Sequence, residues 1–394
     1  MTKSETTINA NWNYPNTIFT GAGRINELAD ACKSLGMEAP LLITDPGLAN
    51  LPMVKQTLDS CRAAGLNCAS FSQIQSNPTG QNVEDGVAAY QHGRHDGVIA
   101  FGGGSALDAA KAVALMVGQS RPLWDFEDVG DNWARVNEQG VAPIVAVPTT
   151  AGTGSEVGRA SVITDEVNHV KKIIFHPKML PQIVILDPEL TVGLPAHITA
   201  ATGMDALSHC LEALCSPFYH PMAEGIAIEG IRLVMQFLPR AVADGQDLEA
   251  RTQMLVASSM GATAFQKGLG AMHAIAHSLG ALYGAHHGLL NAILMPYVLE
   301  ANREEIEVRI ERLSRYLGLD NPSFDGFLEW ILEMRCNLNI PHDLKAIDIT
   351  DEQAELIGNM SVADPSAGGN PVDLTAQAYE QLFINAVNGE LKCS

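Results

Sequence analysis

The stretch GVIAFGGGSALDAAKAVALMVG (97–118) decides the architecture of the first half of this chain. Gly97–Phe101 is a continuous apolar run of strand length, as in a strand covered on both faces. Ser105–Gly118 is rich in Ala, Leu and Lys and reads as a helix. Between them stand Gly102, Gly103 and Gly104, which let the backbone approach a ligand closely at φ values other residues resist. The free N–H groups opening the next helix then face an anion, helped by the helix dipole. A tight turn needs the same glycines, but the helix start favours a nucleotide pyrophosphate as guest. The run departs from the GxGxxG fingerprint, because Leu107 fills the third glycine position.

Outward from this stretch, the strand–helix alternation continues. APLLITD (39–45), CASFSQI (68–74), PIVAVPTT (143–150) and IVILDPEL (183–190) read as strands. PMVKQTLDSCRAAG (52–65) has helical spacing, and NPTGQNVEDGVAAYQHG (77–93) reads as a turn followed by a helix. Such alternation predicts an α/β unit with a mostly parallel sheet. A second loop, PTTAGTGSE (148–156), offers hydroxyls at Thr149, Thr150, Thr153 and Ser155. Two such loops at the carboxyl ends of parallel strands point at one ligand crevice. Asp45 closes the APLLITD strand, where it can accept from a ribose hydroxyl. It would repel a 2′-phosphate by roughly 4 kcal/mol per charge pair at about 4 Å and an effective dielectric of 20. That favours NAD over NADP; a turn or N-cap role before Pro46 is the plainer use of the same residue.

Past Thr191–Pro195 strands are hard to find and helical periodicity takes over, in segments such as 198–215, 222–238 and 248–265. The expected organisation is an α/β domain over 1–192 and an all-helical domain over 193–394. The 394 residues carry 24 basic and 45 acidic side chains, a formal net charge of −21. That excess argues against nucleic acid or an anionic membrane as partner. No run is long and apolar enough for a membrane span, and the N-terminus lacks the apolar region of a secretory signal. Seven scattered cysteines without a CxxC fit buried thiols in a reducing cytoplasm.

The helical half holds metal-ligand residue types in apolar surroundings. Asp205 and His209 lie in ATGMDALSHC (201–210). His273, His277, His286 and His287 lie in AMHAIAHSLGALYGAHHG (271–288). Asp205/His209 and His273/His277 are each spaced i, i+4, so each pair shares a helix face. Buried charges and unpaired polar groups are costly unless a partner or a metal offsets them. Core histidines bonded to backbone carbonyls account for one such pair; two pairs favour a metal. Spacing alone leaves the ligand set open.

Taken together, GGGSALDAAK (102–111), PTTAGTGSEV (148–157) with ITDE (163–166), DPELT (187–191), ATGMDALSH (201–209) and GAMHAIAHSLGALYGAHHG (270–288) resemble the iron-dependent (group III) alcohol dehydrogenases, in family order. The resemblance runs from about residue 12 to the C-terminus. It implies a dehydroquinate synthase-like fold, with a dinucleotide-binding α/β domain and an all-helical metal domain. It also implies reversible hydride transfer between a primary alcohol, or a hydroxy acid, and NAD. By the family pattern the metal ligands are Asp205, His209, His273 and His287, holding Fe²⁺, with Zn²⁺ suited to the same donors. His277 matches a non-ligand histidine near the nicotinamide, expected to route the alcohol proton; His286 matches no family role. The cofactor residues carried over are Asp45, Asn77, Gly102, Gly103, Gly104, Ser105, Thr149, Thr150, Thr153, Ser155, Lys171 (or its neighbour Lys172) and Leu190. Asp108 is expected to orient the glycine loop.

Arg159, in GRASVITDE after the second loop, departs from the pattern. A guanidinium there can pair with a substrate carboxylate, as in a 4-hydroxybutyrate-type dehydrogenase or a hydroxyacid–oxoacid transhydrogenase. A surface salt bridge is its plainer role. A lyase of the dehydroquinate synthase type would need clustered Lys or Arg, which the helical half lacks. A homodimer or larger assembly is expected, with WNYPNTIFTGAG (12–23) a candidate for pairing across it.

Overall fold

The computed structural model describes residues 16–168 and 170–391. Contacts divide the chain into two compact units. Of the described residues, one holds 16–194 together with Gln246–Ser259; the other holds Pro195–Gly245 and 260–391. The expected cut at 192 placed all of 246–259 in the helical half. The difference has a packing cause: Leu255 is fully buried in the core of the first unit, and Ser259 Oγ donates to Glu156 Oε1 there at 2.7 Å.

The first unit runs β1 (Thr17–Thr20), α1 (Leu28–Ser34), β2 (Pro40–Ile43), α2 (Pro46–Ala49), α3 (Pro52–Ala63), β3 (Ala69–Phe71), α4 (Gly80–His92), β4 (Gly97–Gly102), α5 (Gly104–Met116), β5 (Ile144–Pro148), β6 (Ala160–Asp165), β7 (Val170–Phe175) and β8 (Ile183–Leu186). Among the described residues the main sheet has six strands in the order β1-β8-β5-β4-β2-β3, every pair parallel. Its central strands are apolar on both faces. Leu41, Ile43, Val98, Ala100, Ile144, Ala146, Val184 and Leu186 face a layer containing Leu107 and Val113 of α5 and Val83 of α4. The alternate residues Leu42, Ile99, Phe101, Val145, Val147 and Ile185 face Cys32 of α1 and Val54, Leu58 and Cys61 of α3. Two-faced burial explains the unbroken apolar strands, and each fully buried Val, Leu or Ile contributes roughly 1.5–3 kcal/mol. Strands β6 and β7 form a separate antiparallel ribbon. Strand β1 lies at the sheet edge against β8; residues 12–15 of the segment considered for pairing lie outside the described residues.

The second unit is helical, with α6 (Ala196–Cys215), α7 (Pro221–Ala243), the end of α8 (Leu248–Ala264), whose earlier turns belong to the first unit, α9 (Ala271–Tyr283), α10 (His287–Leu317), α11 (Phe324–Asn337), α12 (Ala354–Ala363) and α13 (Ala376–Asn388). Helix α6 is buried continuously from Thr199 to Cys215, so every polar residue on that stretch is forced inside. Helix α10 crosses α6 closely because Gly288 has no side chain: a Cβ there would stand 2.5 Å from Ala201 O and 3.0 Å from Asp205 Cβ.

No helix among the described residues is long and apolar enough to cross a membrane. The six described cysteines are free; five are buried, but Cys336 is exposed, against the expectation that all were buried. Cys393 lies outside the described residues.

Candidate functional site

In the helical unit, α6 carries Asp205 and His209 one turn apart, α9 carries His273 in its first turn, and α10 begins at His287. Their ligand atoms all lie within 4.8 Å of one another. Asp205, His209 and His273 are 2 %, 4 % and 1 % exposed; the His287 side chain keeps 32 %. The His209 and His273 rings stack at 4.8 Å. His287 Nε2 lies 3.7 Å from Asp205 Oδ1.

Burial holds His273 and His287 well below the ordinary imidazole range, so both rings are neutral and offer lone pairs. Burial works against the Asp205 carboxylate too, yet the His209, His287 and His273 rings and the Asn291 amide bring it down to about 2. Asp205 is thus ionised beside the neutral His273 and His287 rings, and Asn291 Nδ2 donates to its Oδ1 at 2.8 Å. A buried carboxylate with no cationic partner is expensive. His209 Nδ1 is buried with no hydrogen-bond partner among the described residues. A single negative charge, three imidazoles and an orphaned ring nitrogen fit one divalent cation.

His277 sits one turn beyond His273, but its Nδ1 lies 3.0 Å from Asp364 Oδ2, and its ring stacks on His287 at 5.3 Å. His286 accepts from Leu289 N through Nδ1 at 3.4 Å, capping α10.

Three residues here were not anticipated. Glu212, on α6, accepts from Gly270 N (2.8 Å), Met272 N (2.7 Å) and His273 Nδ1 (2.6 Å). Burial pushes its carboxyl up to about 7, against the pull of those backbone donors. Asn291 lies four residues after His287, and Asp364 reaches His277 from beyond α12. Glu212 and Asn291 had a readable signal: each is a polar residue in an apolar helix, three or four positions from a ligand type. Asp364 had none.

In the α/β unit, Gly102 closes β4 at φ +145°, and a Cβ there would meet Ala106 Cβ at 2.8 Å and Asp45 Oδ2 at 3.3 Å. Gly103 is the N-cap of α5, and no side chain among the described residues caps that helix. Its first N–H groups thus remain available to an anion. Asp45 caps α2 by accepting from Leu48 N at 3.0 Å through Oδ1. Thr149 N donates to Gly102 O at 2.9 Å, tying the second loop to the first. Ser155 N donates to Thr153 Oγ1 at 3.3 Å. Asp108 accepts from Ser155 Oγ, from Val162 N (2.9 Å) and from Lys111 Nζ (3.2 Å). The fully buried Lys111 also donates to Ser155 O and Ala160 O. Asp108 and Lys111 therefore brace both loops.

The remaining predicted residues are more scattered. Ser105 Oγ donates to Ser76 O, next to the exposed Asn77. Thr150 lies beside Gly103. Leu190 is a core residue of the cluster under the sheet, 7 % exposed. Lys172 is committed to Glu127 and Asp165, 3.2 Å from each, while Lys171 is paired with Thr164 in the ribbon register. Arg159 lies over the Phe175 ring at 5.4 Å. Burial lowers its pKa while Asp128 raises it. Its guanidinium makes no hydrogen bond or close ion pair among the described residues, so the surface salt bridge is not formed.

Comparison with known proteins gives consistent similarities. Residues 15–188 match the model of iron-containing alcohol dehydrogenase, and residues 199–387 match the C-terminal model of the Fe-containing alcohol dehydrogenase family. The chain is 37 % identical over 380 residues to 4-hydroxybutyrate dehydrogenase of Cupriavidus necator, covering 94 % of this chain and 98 % of that protein. It is 33 % identical over 387 residues to NAD-dependent methanol dehydrogenase of Bacillus methanolicus, covering 96 % and 100 %. A crystal structure of 1,3-propanediol oxidoreductase superposes with a TM-score of 0.89 at 34 % identity, covering 96 % of this chain and 100 % of that one.

Proposed function

We propose, from the premise that this chain belongs to the iron-containing alcohol dehydrogenase family, that it exchanges a hydride between a primary alcohol or hydroxy acid and NAD, with one divalent cation held by Asp205, His209, His273 and His287. The observation that carries the reading is the convergence of those four ligand atoms within 4.8 Å, three of the residues being buried. When bound, the cation supplies Lewis acidity toward the substrate oxygen, and the nicotinamide supplies hydride exchange.

The chain's own residues have separable tasks. Gly102, Gly103, Gly104 and Ser105, at the uncapped start of α5, hold the pyrophosphate. Thr149, Thr150, Thr153 and Ser155 line the nicotinamide side, with Lys171, Asn77 and Leu190 as further contacts. Asp45 accepts from the adenosine ribose and disfavours a 2′-phosphate, so NAD is preferred to NADP. His277 takes or returns the alcohol proton at Nε2: Asp364 accepts from Nδ1–H, which leaves the lone pair on the other nitrogen. Family membership favours Fe²⁺, while the donor set accepts Zn²⁺ as well. A cytoplasmic homodimer or larger oligomer, acting on small alcohols and aldehydes, completes the reading.

The second reading concerns the substrate. Arg159 has a hydrophobic platform in Phe175 and no bonded anion among the described residues, and one relative is a 4-hydroxybutyrate dehydrogenase. Both favour a substrate carboxylate paired with this guanidinium, in a dehydrogenase or in a hydroxyacid–oxoacid transhydrogenase. Metal analysis of protein made anaerobically with iron, coupled to a panel of alcohols and hydroxy acids with NAD, tests the main reading. Protein that carries no metal, or turns over none of the panel, overturns it. Comparing kcat/KM for 1-butanol and 4-hydroxybutyrate in wild type and Arg159→Ala tests the carboxylate. A selective loss on the acid is expected, and equal losses on both would remove the idea.

A further inference from the structure

One buried side chain against the ligand cage that the reading above leaves without a role is the Asn291 amide. It stands on α10 one turn after His287 and is fully buried. Nδ2 donates to Asp205 Oδ1 at 2.8 Å and lies 3.2 Å from both His273 Nε2 and His287 Nε2. One amide nitrogen thus faces three of the four candidate ligands at once. Oδ1 is buried and has no partner among the described residues. Turning the amide over would not relieve this. It would set Oδ1 against a carboxylate oxygen and two imidazole lone pairs, a cluster of acceptors with no donor. The donor-inward orientation is therefore fixed by the chemistry of its surroundings.

We propose that Asn291 is a positioning residue of the metal centre. Its amide fixes which way the Asp205 carboxylate points and draws the Nε2 lone pairs of His273 and His287 to the same spot. Two N–H bonds cannot satisfy three acceptors, so the cage is organised but left short of positive charge. The donation to Asp205 Oδ1 is the contact compatible with an occupied cage, because it engages an oxygen lone pair and not the imidazole nitrogens. Asn291 touches no reacting atom and acts through the ligands it orders. This inference rests on the proposed assignment of the cation to Asp205, His209, His273 and His287.

Co²⁺ separates the two ideas, since its affinity can be read by competition with a chromophoric chelator and its coordination by visible absorption. Wild-type protein should bind one Co²⁺ per chain. Asn291→Leu, similar in size but without the donor, should bind it about 10- to 100-fold more weakly, the usual effect of losing an outer partner of a ligand. Its absorption bands should shift, while NAD⁺ affinity stays at the wild-type value. A purely structural role would lower the melting temperatures of metal-free and metal-loaded protein alike and leave affinity and bands unmoved; that result overturns the proposal. Asn291→Asp provides the second test if the leucine variant does not fold. A carboxylate facing Asp205 should make the metal-free protein less stable and enlarge the rise in Tm on adding Co²⁺. An unchanged rise overturns the proposal. Wild-type protein that folds, binds NAD⁺ and takes up no Co²⁺ overturns the cage assignment itself, and this inference with it.

Discussion

Replacing Glu212 by Gln changes almost no volume but removes a role that only a carboxylate can fill. Oε1 accepts from Met272 N at 2.7 Å, and Oε2 accepts from Gly270 N at 2.8 Å and His273 Nδ1 at 2.6 Å. Glu212 thereby satisfies the first donors of α9, whose own N-cap, Gly270, has no side chain to offer. It also keeps the His273 proton on Nδ1 and the lone pair on Nε2, the nitrogen 3.2 Å from the Asn291 amide. A glutamine must place its NH₂ at one of the two oxygen positions. At the Oε1 position it meets the Met272 N–H. At the Oε2 position it meets the Gly270 N–H and forces His273 into the Nε2–H tautomer, which has no lone pair for a cation. Either way a buried donor loses its acceptor, at a cost of about 1–3 kcal/mol. Loss of the partner that orients a metal-bound histidine costs about 10- to 100-fold in metal affinity, or roughly 1.4–2.7 kcal/mol. The assays are urea unfolding of metal-free protein and Co²⁺ titration against a chelator. Glu212→Gln should lower stability whichever way the amide settles, and should weaken Co²⁺ by about tenfold where its NH₂ takes the Oε2 position, with NAD⁺ affinity unchanged. A variant as stable as wild type that also binds Co²⁺ within about threefold of it would refute the argument.

Three further outcomes follow from the geometry. Gly102→Ala forces φ +145° on a residue with a Cβ and drives that atom to 2.8 Å from Ala106 Cβ; strain of this kind costs roughly 1–3 kcal/mol. Isothermal titration should show NAD⁺ affinity falling while Co²⁺ affinity holds, and intact NAD⁺ binding would contradict the loop's assigned role. His277→Ala should keep its metal by elemental analysis but slow turnover and alter its pH profile, whereas an unchanged profile would exclude His277 as the proton route. Burial holds His273 and His287 below their ordinary value of 6.5, and protonated imidazoles release metal. Metal occupancy should therefore be flat from pH 8 to about 6.5 and fall only below it. Metal-free protein should lose stability over that same acid window, where the unfolded chain takes up these protons first. A midpoint of metal loss above 6.5 would contradict this.

The strands of the main sheet were legible because being apolar on both faces leaves an unbroken signature, as in Gly97–Phe101. The β6–β7 ribbon was not, because it mixes charged residues with apolar ones: Lys171 and Lys172 lie beside Val170 and Ile173, and Lys172 spans to Glu127 and Asp165. Nothing in LEARTQMLVASSMGATAF announces that Leu255 belongs to the core of the other unit, since a helix pattern reports which face is apolar and not what covers it. The same limit applies at the cage. Asp205 with His209, and His273 with His277, present the same i, i+4 spacing, and nothing along one helix says which pair converges on an ion. The distinction is made from outside each helix. Asp364, 87 positions further on, takes His277 Nδ1; Glu212, from α6, takes His273 Nδ1; and His287 enters at the first position of α10, where Gly288 lets that helix close on Asp205. A histidine pair at helical spacing is therefore a statement about one surface. Which ring can serve a metal depends on the hydrogen bond made by its other nitrogen, and that partner comes from elsewhere in the chain.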